Sequence, residues 1–216
     1  MHLMVTRRLV IAGAAALAFG VACLPGDPSW AAAEDDAKIK IQHLADSALG
    51  ILADKTLSKP GREEGLRKIL LANFNIRAIG KFVIGSHWRT APRDERSEFL
   101  GVFETYMVKT YAVQLGRYAG EKVKILSVQP DKRGFVVISQ VVPPNRPPVV
   151  LKWRLRKAKD GELAVVDVVV ENISMALTQR QEFAAVIQQR GGNLRGLISA
   201  LREKIKELDN KDTASN

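Results

Sequence analysis

The chain has 216 residues, 33 Lys and Arg against 23 Asp and Glu, a formal net charge of +10 and a single cysteine, Cys23. That length suits one domain with a real hydrophobic core, and one cysteine excludes a disulfide framework and any cysteine-built metal site. The basic balance calls for an acidic partner: nucleic acid, anionic lipid headgroups or an acidic protein face.

Thr6-Arg7-Arg8 give a positive start, Leu9 to Val21 form an apolar run of about a dozen residues, and Ala31-Ala32-Ala33 precede acidic Glu34. This pattern predicts a signal peptide over residues 1–33 and a periplasmic mature protein. Arg7-Arg8 also resembles the opening of a twin-arginine signal, so the route is the general secretory one or the twin-arginine one. Gly20 stands where a lipid-attachment site at Cys23 wants a branched aliphatic residue, so a lipoprotein anchor is not expected. The apolar run is shorter than the roughly 20 residues a membrane span needs. Removal of residues 1–33 takes away Arg7, Arg8, Asp27 and Cys23 and leaves a charge of about +9. Export argues against nucleic acid as the partner.

In the mature part, Ile41, Leu44, Ala48 and Ile51 recur at helical spacing from Asp36 to Leu52, and Asp54 to Gly61, with Pro60-Gly61, reads as a loop. Glu63 to Leu71 reads as a second helix, and Phe74 to Trp88 as short helical pieces broken at Gly80 and Gly85. Pro92 opens a helix to about Arg117 with a stripe of Phe99, Phe103, Tyr106, Met107 and Thr110. From Glu121 the period falls to two. Lys122 to Gln129, Phe135 to Val142, Val149 to Arg156 and Leu163 to Glu171 are predicted strands, with Val149, Leu151, Trp153 and Leu155 on one face of the third and Lys152, Arg154 and Arg156 on the other. Pro143 to Pro148 is a stiff connection. Helical spacing returns through Phe183, Val186 and Ile187 to a stop at Gly191-Gly192. Asn193 caps a last helix carrying Leu194, Leu197, Ile198, Leu201, Ile205 and Leu208. A single domain is thus expected over 34–210, with 211–216 as a polar tail. The order is an α+β fold: a four-stranded antiparallel curved sheet with helices before and after it, which can enclose an apolar cavity.

No catalytic constellation emerges. His43 and His87 have no ligand-spaced partner, and Gly85-Ser86-His87 lacks the strand-to-helix elbow of a hydrolase nucleophile. Asp167 and Glu171 lie about 13 Å apart along a strand at ~3.3 Å per residue, too far to share a proton. There is no phosphate-binding glycine loop. The expectation is a protein that is not an enzyme, with no catalytic residue, metal or cofactor. A periplasmic hydrolase, the alternative class, needs a polar cluster inside the cavity.

Phe74-Asn75-Ile76-Arg77-Ala78-Ile79-Gly80-Lys81-Phe82-Val83-Ile84-Gly85, then Trp88-Arg89-Thr90-Ala91, Phe99, Phe103 and Tyr111-Ala112, resembles the central motif of the MlaC family, also called the toluene-tolerance family. Val166-Asp167-Val168-Val169-Val170-Glu171-Asn172-Ile173-Ser174-Met175, then Gln179 to Phe183 and Gly191-Gly192, resembles its C-terminal motif. The resemblance implies a fold related to nuclear-transport-factor-like proteins. It also implies a periplasmic carrier of phospholipid between outer and inner membranes that maintains outer-membrane asymmetry. The implied partners are an inner-membrane ABC transporter complex with its lipid-binding substrate protein, an outer-membrane lipoprotein complex, and transient membrane contact. One branch of the family accompanies hopanoid synthesis, so a polycyclic lipid is the alternative cargo.

On this reading Phe82, Phe103, Tyr106, Met107, Val137, Trp153 and Val168 are the expected lipid-binding residues, and Lys152, Arg154 and Arg156 the expected docking cations. Small Ala31 and Ala33 occupy the positions that signal peptidase reads, so the mature protein is predicted to start near Glu34. N-terminal sequencing of periplasmic material checks this, and a mature chain still carrying Leu9 to Val21 overturns the export assignment.

Overall fold

The structure is a computed structural model and describes residues 28–115, 121–144 and 147–213. The apolar run Leu9 to Val21 and Cys23 lie outside the described residues. In chain order the elements are α1 (Pro28–Ala53), α2 (Lys59–Asn73), α3 (Ile76–Ile84), α4 (His87–Thr90), α5 (Arg93–Leu115), β1 (Lys122–Asp131), β2 (Gly134–Val142), β3 (Val149–Lys157), β4 (Leu163–Val170), β5 (Ile173–Ser174), α6 (Met175–Gln189) and α7 (Leu194–Thr213). No helix of the described residues is long and apolar enough to cross a membrane.

The sheet is an antiparallel meander in the order β1-β2-β3-β4-β5, so it has five strands rather than the expected four. The extra strand comes from a two-residue hairpin. Glu171 and Asn172 both take positive φ, 47° and 70°, and Val170 pairs with Ile173 across them. A turn of that hand matches strand twist, and Asn tolerates it better than most residues. The fourth strand therefore ends at Val170, and Glu171 belongs to the turn. Register shifts at Ile125/Ser127 and Arg154/Leu155 bend β1 and the β3–β4 pair.

Three helical readings change for local reasons. Pro60-Gly61 does not break the chain. Ser58 caps α2 by accepting from the Gly61 amide at 3.3 Å, and proline in the first turn has no amide to leave unpaired. Gly80 does not interrupt α3, which Asn75 caps through the Ala78 amide. Its missing side chain lets α5 approach: a Cβ there would stand 2.7 Å from Leu100 Cδ2. Asn193 does cap α7, accepting from the Gly196 amide at 3.1 Å, but the helix continues to Thr213, into the expected tail.

Two separate cores result. In one, α3, α4, α5, α6 and α7 pack on each other around Phe99, Phe103 and Phe183, with Phe99 and Phe103 stacked at 5.5 Å and Phe183 edge-on to both. In the other, Ala37, Ile41 and Leu44 of α1 cover Phe135, Val137, Trp153, Leu155 and Val165 of the sheet. Half-buried Phe74 joins both. Its strand-like pairing with Val165, and the Asn75 amide donating to Val165 O at 2.9 Å, fix the helices to the sheet there.

A second tie is made by Asp167. Its buried carboxylate accepts from Ser174 Oγ at 2.7 Å, the Ala176 amide at 3.0 Å and Arg154 Nη1 at 3.0 Å, so one side chain holds β3, β4 and the start of α6. Asp167→Ala leaves three donors without their acceptor. The expected loss is about 2–4 kcal/mol of unfolding free energy, read as a lower urea midpoint at unchanged slope.

Candidate functional site

Between the two cores lies a cavity of about 730 Å³. Such a volume falls within the roughly 300–1,000 Å³ of pockets that bury a small ligand. The helical side is supplied by Ala45, Ala48, Leu49 and Leu52 of α1, Leu66, Ile69 and Leu70 of α2, Ile79 and Val83 of α3, and Phe103, Met107 and Tyr111 of α5. The sheet side is Val123, Val141, Val149, Leu151, Trp153, Val168 and Val170, and α6 adds Met175, Ala176 and Gln179. The strand residues alternate along β3, which is why Val149, Leu151 and Trp153 share the wall while Lys152 and Arg154 do not.

The cavity is partly open to solvent, and strand register orders its wall residues. Register places Val123, Val141 and Val149 in one row across β1, β2 and β3. Trp153 lies four residues further along β3, about 13 Å at ~3.3 Å per residue, toward the Phe74–Val165 tie. Val142, next to Val141 on β2, is exposed, and so are the lining residues Val113 and Gln114 of the last α5 turn. Glu121, also on the wall and just before β1, is buried at 7% exposure.

Polar atoms in the wall are few and mostly satisfied. The Trp153 indole N–H donates to Ser139 Oγ at 2.9 Å, and both residues are buried. Burial pushes the Tyr111 phenol up, so it stays protonated at neutral pH. Among the described residues no group of three or more His, Cys, Asp and Glu could hold a metal ion. Ser86 and His87 are not on the cavity wall. The Asp54 carboxyl, held below its usual range by the Thr56 hydroxyl, is likewise remote from it.

Of the residues singled out in the sequence, Phe103, Met107, Trp153 and Val168 line the cavity. Phe82, Tyr106 and Val137 do not. Phe82 is on the outward face of α3, 42% exposed, with the Arg180 guanidinium 5.1 Å above its ring. Tyr106 is turned toward Phe183 of α6, at 6.1 Å between rings. Val137 points inward but is fully covered in the α1 core. The α1 and α2 walls were missed, although Leu44, Ala45, Ala48, Leu49 and Leu52 give α1 an apolar surface wider than one sheet contact requires.

The basic residues of β3 face away from the cavity, and each has a partner in its own chain. Arg154 pairs with Asp167, Arg156 with Asp131 at 2.6 Å, and Lys152 Nζ donates to Asn172 at 2.8 Å. The Arg156 guanidinium holds the Asp131 carboxyl below the ordinary carboxylate range. Arg180, by contrast, stacks over Phe82, and Arg77 over Trp88 at 5.5 Å.

The indole–hydroxyl bond yields a test of how the wall is kept dry. Ser139→Ala should cost about 1–3 kcal/mol because it strands a buried N–H. In a Trp153→Phe background the same change should cost far less, and a double-mutant cycle by urea unfolding reads the difference.

Comparison with known proteins gives three findings. Residues 42–203 match the sequence profile of the family described as MlaC protein. The intermembrane phospholipid transport system binding protein MlaC of Haemophilus influenzae is 25% identical over 130 residues, which are 58% of this chain and 61% of that protein. The match thus spans less than two thirds of the relative. A phospholipid-binding protein from Ralstonia solanacearum, determined in complex with a phospholipid, has the same fold: the TM-score is 0.69 at 23% identity, over 81% of this chain and 99% of that one.

Proposed function

Because the chain belongs to the MlaC family, we propose that it is a periplasmic phospholipid carrier, moving lipid between outer and inner membranes by enclosing the acyl tails in the cavity between its two cores. The observation that carries this reading is the 730 Å³ apolar cavity, partly open to solvent. The name of the Haemophilus relative and the bound phospholipid of the Ralstonia protein agree with it.

The physics of carriage fits the wall. Each acyl methylene exposed to water costs about 0.8 kcal/mol, so a carrier has to bury most of both tails to cross an aqueous gap. An apolar lining does this without any covalent step. Directional energy then comes from elsewhere, and on the family resemblance an inner-membrane ABC transporter with its lipid-binding substrate protein, and an outer-membrane lipoprotein complex, are the proposed exchange partners. With Arg154 and Arg156 engaged by Asp167 and Asp131, reversing the β3 charges disturbs the fold as well as any docking surface.

Two measurements test the carrier. Protein purified without detergent should release phospholipid on native mass spectrometry, and recovery of a hopanoid or of no lipid overturns the phospholipid assignment. Ala48, on the α1 wall, offers a way to fill the cavity from one side. Ala48→Trp should remove most bound lipid while the delipidated variant melts no lower than delipidated wild type. The wild type itself should melt several degrees higher with lipid than without, since a ligand that binds only the native state stabilises it.

A further inference from the structure

Acyl tails account for the apolar wall but not for Glu121. This residue is 7% exposed, lines the cavity, and its Oε2 is inaccessible to solvent and has no hydrogen-bond partner. A buried carboxylate is normally paired or fully hydrogen-bonded, because desolvating it otherwise opposes folding strongly. Such an orphan at a ligand site indicates that the ligand supplies the partner.

Its position says which part of the ligand. Glu121 directly precedes β1, two residues before Val123 of the row Val123, Val141 and Val149, at the sheet end where neighbouring Val142 is exposed. Tails directed toward buried Trp153 and the Phe74–Val165 tie leave the headgroup at this end. An ionised carboxylate only accepts hydrogen bonds and repels anions. Its best complement is a primary ammonium, which brings a positive charge and three N–H donors. A trimethylammonium has the charge without the donors, and a glycerol headgroup has donors on a lipid of net negative charge.

We propose that Glu121 is a specificity-determining residue at the cavity mouth that selects phospholipids with a primary-amine headgroup, the ethanolamine class, by a charge-assisted hydrogen bond. The inference rests on the reading of the cavity as a phospholipid site. Gln114, an exposed residue lining the same cavity, is neutral and leaves this selection to the carboxylate.

The test uses the delipidated full chain, incubated with vesicles of phosphatidylethanolamine, phosphatidylglycerol and phosphatidylcholine in equal amounts with identical acyl chains. Bound lipid is quantified by mass spectrometry. Wild type should enrich the ethanolamine lipid about tenfold over each of the others, as expected for one charge-assisted hydrogen bond. Glu121→Gln should bring the ratios close to one. Gln114→Lys, a change at an exposed helix-end position, puts a competing cation on the same cavity wall and should also flatten the ratios, which keeps the test open if Glu121→Gln fails to fold. Equal ratios in wild type, or enrichment that persists in a folded Glu121→Gln or in Gln114→Lys, overturn the role of Glu121 and leave the carrier intact. Absence of all three lipids from wild type overturns the carrier reading itself.

Discussion

The apolar face of the sheet is larger than the helices that cover it, and this mismatch shapes the rest of the structure. Ala37, Ile41 and Leu44 of α1 seal one part of the face against Phe135, Val137, Leu155 and Val165. The other helices bury their apolar sides mainly on one another, around three phenylalanines whose stacked and edge-on contacts satisfy them without the sheet. They meet the strands where Phe74 and Asn75 pair with Val165 and where Asp167 grips the start of α6. Two cores tied in this way leave a gap between them, lined by whatever apolar surface each core leaves over.

The polar ties have a common logic. Trp153 contributes a large apolar ring to the wall, but its N–H has to be paired once buried. Ser139, fully buried on the neighbouring strand, accepts it, so no water is needed inside. Asp167 also borders the cavity, but its carboxylate is taken up by three donors, from Arg154, Ser174 and Ala176. Satisfying these polar groups within the protein, and leaving one carboxylate oxygen of Glu121 unsatisfied, gives a wall that is dry where tails would lie and polar where a headgroup would.

How far the sequence foretold this depends on which periodicity was being read. A period of two is unambiguous once one strand's inward side is known, so Val149, Leu151 and Trp153 were legible from the alternation with Lys152 and Arg154. A helix is less forgiving, since an error of one residue rotates a side chain by about 100°. Phe82 and Tyr106 show it: each neighbours wall or core positions in sequence yet faces outward or toward α6. Val137 failed differently, since its direction was right but α1 lies over it, a long-range contact that leaves no local mark. Gly80 and Pro60-Gly61 were read as breaks because their usual effect is to break helices. Here one serves a close α3–α5 approach and the other fits a first turn. The Glu171-Asn172 hairpin was invisible for want of glycine.

The size of the cavity sets a limit on its empty form. A dry void destabilises by about 24 cal/mol per Å³, so 730 Å³ left unfilled would cost on the order of 17 kcal/mol, above the ~5–15 kcal/mol that holds a typical domain together. A rigid, dry, empty cavity of this shape is therefore not a state the chain can occupy for long. The exposed lining residues Val113 and Gln114 let solvent reach part of the wall, which relieves part of the cost. On the carrier reading, lipid supplies the contacts that the empty wall lacks, and the gain on loading is set by how much of the wall is wet beforehand.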